Sequence, residues 1–234
     1  MWDNPHLLRA IANLLFGICL LLVLLGVARL ALHQPVFALR KLELTSAPQR
    51  VSSEQMRQVL KEHVRGNFFT VDLELTRQSF AKLPWVRKVS VRRKFPLGLQ
   101  MDVEEHVALA RWNGTSLVNT QGEIFMARAE ETLPAFIGQA ETSLQVARMF
   151  KELNDVVQPL HQQIVQLSLS PRFAWQAKLD SGLVLELGRE SMRQRLEKFV
   201  AVYPYSLEAN LQIVRHVDLR YRNGFAAFMP GSEV

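Results

Sequence analysis

Residues 83–105 read LPWVRKVSVRRKFPLGLQMDVEE, and their alternation decides the fold of the first half of the chain. Trp85, Val89, Val91 and Phe95 fall on one face of an extended chain, with Lys88, Ser90, Arg92 and Lys94 on the other. Pro96 to Gly98 turns the chain, after which Leu99, Met101 and Val103 alternate with Gln100, Asp102 and Glu104. The result is a hairpin whose polar face can pair Lys88 and Arg92 with Asp102 and Glu104.

Upstream of the hairpin, Pro84 stops a helix that carries Leu73, Phe80 and Leu83 and that Asp72 can cap. Ser79 and Lys82 flank Phe80 there and read as solvent-facing. Before that helix, Ser52 and Gln55 have the spacing of a capping box, Met56, Val59, Leu60 and Val64 share one helical face, and Gly66 stands where a C-cap belongs. Residues 37–46, FALRKLELTS, read as a first short strand. The order is therefore strand, helix, helix, strand, strand, an α+β arrangement spanning residues 36–107.

Further upstream, residues 10–28, AIANLLFGICLLLVLLGVA, carry no charge and reach roughly 28 Å as a helix, close to the hydrocarbon thickness of a bilayer. A cleaved signal peptide is the rival reading, but this apolar core exceeds the roughly 7 to 15 residues of a signal sequence. The residues around 28–31 also make a poor cleavage site. Residues 10–32 are read as an uncleaved transmembrane helix with its membrane exit. Nine residues precede it as a short cytoplasmic tail, and the bulk of the chain lies beyond the membrane. The one cysteine, Cys19, falls inside this span, so the folded part needs no disulfide.

Charge separates the two halves. Residues 29–107 hold 14 Lys and Arg against 8 Asp and Glu, whereas residues 108–234 hold 13 of each. A basic, membrane-proximal half suits a solvated face beside anionic lipid headgroups. Nucleic acid is excluded as a partner, because the chain is tethered and the basic run lacks interleaved aromatics for stacking.

The second half, residues 108–229 followed by a tail at 230–234, reads as a mixed α/β domain with an antiparallel-rich sheet. Residues 108–112 form a strand before the Asn113-Gly114 turn, and Leu117-Val118 and Ile124-Phe125 flank a turn at Gln121-Gly122. Leu133-Pro134 to Gly138 reads as a loop or short edge. Val146, Met149, Phe150, Leu153 and Val157 share a helical face that ends at Pro159. Three period-two strands follow, carrying Val165, Leu167 and Leu169; Phe173, Trp175, Ala177 and Leu179; and Leu183, Leu185 and Leu187. Met192, Leu196, Phe199, Val200 and Tyr203 form the stripe of another helix, closed by Pro204. Residues 217–221, VDLRY, then form a strand, Arg222-Asn223-Gly224 a turn, and Phe225 to Met229 a returning strand. This last strand is expected at a sheet edge, where its unpaired backbone and the aromatics Tyr221, Phe225 and Phe228 can take up a strand from another protein. The alternative is that these aromatics cap the domain's own core.

The first domain, with Val71-Asp72-Leu73, Leu83-Pro84-Trp85-Val86, Arg93-Lys94-Phe95-Pro96 and Glu105, resembles a POTRA domain, a module that docks other chains. The whole chain, with its membrane helix, Leu133-Pro134 and Gly138, Trp175 with Leu185 to Gly188, and Val217 to Phe225, resembles the FtsQ/DivIB family of bacterial cell-division proteins. That resemblance implies a single-pass inner-membrane protein facing the periplasm at the division septum, without cofactor or small-molecule substrate. It further implies capture of FtsB-like and FtsL-like bitopic partners by the last strands, and contacts with other division proteins through the POTRA domain. Carried over residue by residue, the partner surface comprises Arg220, Tyr221, Asn223, Gly224 and Phe225, with Phe228 and Arg172 added.

Enzymatic readings have little to stand on. Ser79 and Lys82 match the SxxK of enzymes acting on peptidoglycan, but neither SDN nor KTG accompanies them. His6, His33, His63, His106, His161 and His216 show no metal-ligand spacing, and GxSxG and HExxH are absent. A translocation component bearing a POTRA domain lacks support, since barrel strands are missing.

Overall fold

A computed structural model describes residues 5–206, 214–221 and 224–228. The chain divides into two compact units, Met1–Glu105 and His106–Val234.

The first unit opens with helix α1, Pro5–Leu32. Its segment Arg9–Leu32 is long and apolar enough to cross a membrane. Leu14, Phe16, Leu22 and Val27 are all exposed along it, so the helix is apolar on every side and, among the described residues, no side chain covers its span. After a 3-10 turn at Pro35–Phe37 come strand β1 (Lys41–Leu44), helices α2 (Ser53–His63) and α3 (Leu73–Ala81), and strands β2 (Val86–Lys94) and β3 (Gly98–Glu105). The strands lie in the order β1-β3-β2, with β1 parallel and β2 antiparallel to β3. Val51, Met56, Phe80, Val89, Met101 and Val103 form the core between helices and sheet.

The local signals act as their chemistry dictates. Ser52 Oγ accepts from the Gln55 N–H and Gln55 Oε1 accepts from the Ser52 N–H, both at 3.1 Å, closing the capping box of α2. Asp72 Oδ1 accepts from the Leu75 N–H at 2.9 Å and starts α3. Gly66 is not the C-cap, however. The β-branched Val64 leaves the helix in extended backbone, and Gly66 serves the next turn, with φ of 106° and room for no Cβ beside Thr70 Oγ1.

The β2 alternation is broken at its start. A register shift between Val86 and Lys88 lets Val86 and Val89 both face the core, and Phe95, past the strand end, is 86% exposed. The cross-strand ion pairs differ accordingly. Lys88 stands opposite Glu104, but Arg87 makes the ion pair with it, while Arg92 donates to Gln100 Oε1 and Asp102 lies opposite Ser90.

Glu105 closes the unit. Its carboxylate accepts the N–H groups of Gln49, Arg50 and Val51 at 2.8, 2.9 and 2.8 Å, tying the loop before α2 to the end of β3. Charge-assisted bonds of this kind are stronger than neutral ones. Glu105→Ala is expected to cost about 2 kcal/mol, read in the urea midpoint of the first unit's unfolding.

The second unit contains β4 (Ala108–Trp112), β5 (Ser116–Asn119), β6 (Ile124–Phe125), β7 (Ala135–Ile137), α4 (Ser143–Val157), β8 (Ile164–Leu169), β9 (Trp175–Leu179), β10 (Val184–Gly188), α5 (Met192–Ser206), β11 (His216–Asp218) and β12 (Ala226–Phe228). Among the described residues, one sheet joins these nine strands in the order β12-β11-β10-β9-β8-β7-β4-β5-β6. Val146, Leu153 and Val157 of α4 and Leu196, Phe199 and Tyr203 of α5 pack on Trp112, Phe136, Leu167, Trp175, Leu185 and Val217 of the sheet.

Several elements depart from the sequence reading. β7 is central instead of an edge, parallel to both β4 and β8, because its three residues bridge two meanders. A register shift between Ile164 and Gln166 buries Ile164 and turns Val165 outward. Phe173 belongs to a tight turn, with φ of 59° and its N–H donating to Ser170 O at 2.8 Å, so β9 starts at Trp175. Pro204 does not close α5; it lies in the last turn, where only its own missing N–H is lost, and the helix runs to Ser206.

Candidate functional site

The C-terminal hairpin completes one end of the sheet. β11 runs parallel to β10, with Leu185 opposite Val217 and Glu186 opposite Asp218, and the Leu219 N–H continues the ladder to Glu186 O at 2.9 Å. The strand is shorter than VDLRY suggested: Leu219 and Arg220 lie beyond it and Tyr221 is in a bend. β12 pairs antiparallel with β11 and is last in the order; among the described residues no strand covers its outer side.

Strand alternation divides the aromatics between two faces. Phe225 and Ala227 lie against the core on the helix side, where the rings of Phe225 and Phe199 meet edge to face at 5.5 Å. Phe228 is on the other face, 54% exposed, with its ring 5.5 Å from His216. Tyr221 is 58% exposed. Capping of the core thus describes Phe225 but not Tyr221 or Phe228. Gly224 is exposed with open space around it, and Asn223 lies outside the described residues.

Arg220 is held in place by its neighbour. Its Nε and Nη2 donate to the two oxygens of Asp218 at 2.7 to 3.0 Å, and its backbone N–H donates to the same carboxylate at 2.9 Å. Asp218 is buried while the Arg220 side chain remains mostly exposed, so the pair fixes a cation at the surface. Gly188 makes this possible: at φ of 77°, a Cβ there would lie 3.1 Å from Arg220 Cγ and 3.0 Å from Arg195 Nη1.

The Arg220 guanidinium holds the Asp218 carboxyl below the usual carboxylate range, against the opposing effect of burial. Because the folded-state value is depressed, this carboxylate's contribution to stability is fully present above about pH 4 and is lost as the pH falls through the lower folded value. Wild type is therefore expected to loosen at the hairpin in acid. Asp218→Asn should be loosened at neutral pH and lose that acid step, as followed by amide exchange at residues 216–220.

Between α5 and the hairpin lies a groove of about 480 Å³ with an apolar floor of Phe199, Val202, Leu219 and Phe225. Tyr221 stands beside it, and Arg195 and Lys198 of α5 add positive charge. The structure thus brings Tyr221, Gly224 and Phe225 together. Arg172 is exposed in the β8–β9 turn, at the same end of the sheet but two to three strand spacings away, roughly 10–15 Å, and it does not line the groove. Arg195 and Lys198 escaped the sequence reading, since two cations on a polar helix flank carry no signal of which strands will meet them. Asp218 was legible in principle, because it stands two residues before Arg220 with a side chain of opposite charge.

Ser79 corrects an expectation in the first unit. It is buried, not solvent-facing, and its hydroxyl donates to Leu75 O at 2.8 Å, while Lys82 is exposed at the helix end. That back-bond is the common way for a serine buried in a helix to satisfy its hydroxyl.

Comparison with known proteins agrees with this architecture. Residues 110–220 match the profile described as cell division protein FtsQ/DivIB, C-terminal, and residues 37–106 match that of a POTRA domain of FtsQ type. The cell division protein FtsQ of Nitrosospira multiformis is 40% identical over 232 residues, covering 97% of this chain and 98% of that protein. FtsQ of Burkholderia pseudomallei is 34% identical over 233 residues (97% and 93%), and that of Coxiella burnetii 34% over 201 residues (84% and 83%). On the strength of near full-length identity and both domain matches, the chain belongs to the FtsQ/DivIB family of bacterial cell-division proteins.

Proposed function

We propose that this protein works in division as an assembly scaffold, not as an enzyme, and that its C-terminal hairpin captures FtsB-like and FtsL-like membrane partners by strand addition. Family membership supplies the divisome role. The observation that carries the docking mechanism is β12: three uncharged residues, last in a nine-stranded sheet, with no described strand outside it. Unpaired backbone of this kind is a template for a further strand, and the flanking side chains give such an addition its specificity.

The candidate residues divide the work. Tyr221 and Phe228 offer exposed aromatic surface on either side of the edge. Arg220, pre-set by Asp218, and the cations Arg195 and Lys198 favour a partner with carboxylates beside its paired strand. Gly224 leaves the backbone approachable, Asn223 adds an amide beside it in sequence, and Arg172 serves a longer partner crossing the end of the sheet. In this reading α1 is the single membrane crossing, residues 1–9 face the cytoplasm, and the rest of the first unit and the whole of the second stand in the periplasm at the septum. The first unit docks other division proteins.

A photo-cross-linking residue at position 228 in dividing cells tests the site. The reading expects an adduct with a small bitopic division protein, and none from the exposed position Lys151 on α4. Equal yields from both positions would sink it.

A further inference from the structure

Among the described residues of the first unit beyond α1, the exposed large apolar side chains are Val36, Phe69, Leu75 and Phe95, and three of these four gather at the end from which α1 leaves. A chain of contacts places them there. Asn67 Nδ2 donates to the carbonyl of Leu32, the last residue of α1. The Phe68 N–H donates to Phe37 O at 2.9 Å, and the rings of Phe37 and Phe69 meet edge to face at 5.1 Å. Arg93 then donates to Phe68 O and Val71 O at 2.7 and 2.9 Å, which brings the β2–β3 turn and Phe95 to the same loop. The Arg40 N–H donates to Leu97 O at 2.9 Å and ties the segment after Val36 to that turn as well.

Helix length sets the depth of this cluster. The 28 residues of α1 span about 42 Å, more than the roughly 30 Å hydrocarbon layer, so its last turn lies at headgroup level. Asn67 is bonded to that turn, and Phe69 follows two residues later. Exposed cations accompany the apolar side chains: Arg29 in the last turn of α1, then Arg40, Lys41 and Arg65. Apolar side chains such as Phe with Lys and Arg beside them are what an anionic bilayer surface binds.

We propose that this end of the first unit rests on the bilayer that α1 crosses, with Val36, Phe69 and Phe95 in the headgroup layer and Arg40, Lys41 and Arg65 against anionic headgroups. The contact is lateral continuity with the membrane span, and it holds the first unit down against the membrane. It rests on the reading of α1 as that span, so the test contains a separate control for it.

The full chain is reconstituted in phosphatidylcholine vesicles with about 30% phosphatidylglycerol, an anionic fraction that attracts basic segments. A nitroxide is placed at native Cys19, at Phe95→Cys in a Cys19→Ser background, or at Ala47→Cys in the same background. Ala47 is exposed beyond the opposite end of β1 and serves as the aqueous reference. With the Cys19 label in lipid, the label at 95 is expected to be about tenfold less accessible to an aqueous nickel chelate than the label at 47. That protection should weaken in purely phosphatidylcholine vesicles.

Equal chelate access at 95 and 47, with Cys19 in lipid, overturns the proposal while leaving the span intact. A water-exposed Cys19 label overturns both. Shielding of 95 only in native membranes that contain other division proteins also overturns it, and assigns the patch to a protein partner.

Discussion

Gly122→Ala is expected to destabilise the second unit by about 2–5 kcal/mol, the sum of a left-handed backbone penalty and an unrelieved overlap. Gly122 has φ of 82°, and a Cβ built there lies 2.4 Å from Leu144 Cα and 2.9 Å from Leu144 Cβ. Main-chain atoms at the start of α4 cannot rotate aside. The turn is fastened on both sides: Asn119 Oδ1 accepts the N–H groups of Gln121 and Glu123 at 2.9 and 2.8 Å, and Ser143 Oγ donates to Gly122 O at 2.6 Å. Gly114→Ala is the control, since φ there is 75° but nothing lies within 4 Å of a Cβ. It should cost about 1–2 kcal/mol, the backbone part alone. Urea unfolding of the full chain in detergent, with the buried Trp112 and Trp175 as reporters of the second unit, separates the two. Equal midpoints for the two variants would show that the β5–β6 turn does not press on α4.

Tyr221→Ala combined with Phe228→Lys is expected to weaken capture of an FtsB-like partner segment by about 30-fold or more, the loss typical of removing central aromatic contacts. Both side chains are more than half exposed, so neither substitution opens the core. Phe225→Lys is a poorer probe, because its ring rests on Phe199 and a lysine there disturbs α5 as well as the edge. The double variant should unfold at the wild-type urea midpoint while its affinity falls. Unchanged affinity in a folded double variant would place the binding energy elsewhere on the chain.

Much of the architecture was legible because it is local. The capping box at Ser52 and Gln55, the Asp72 cap, the 180–182 hairpin and the strand-helix-helix-strand-strand order each depend on residues a few positions apart. What escaped depends on distant partners. β7 has three residues and no alternation to display, yet it lies between β4 and β8. Register shifts at residues 86–88 and 164–166 reverse the parity that alternation arguments assume, which is why Val86 and Ile164 are inside and Val165 outside. Ser79 is a small polar residue that hides by bonding its own helix, a choice no periodicity reveals. At the candidate site, the pairing of β11 with β12 and the place of β12 as the last of the described strands were readable from the Asn-Gly pair in the sequence. The groove was not, because Arg195 and Lys198 reach it only through the packing of α5 on the sheet.

The central claim is that a partner adds to β12 as a strand. Its most direct measurement is amide hydrogen exchange at residues 224–228 of the full chain in lipid nanodiscs, with and without the periplasmic segments of FtsB-like and FtsL-like proteins. Strand addition predicts slowed exchange at Ala226 to Phe228 on binding, with residues 116–125 at the opposite end of the sheet unchanged. Tight binding that leaves exchange at 226–228 as fast as in the unbound protein would contradict the claim.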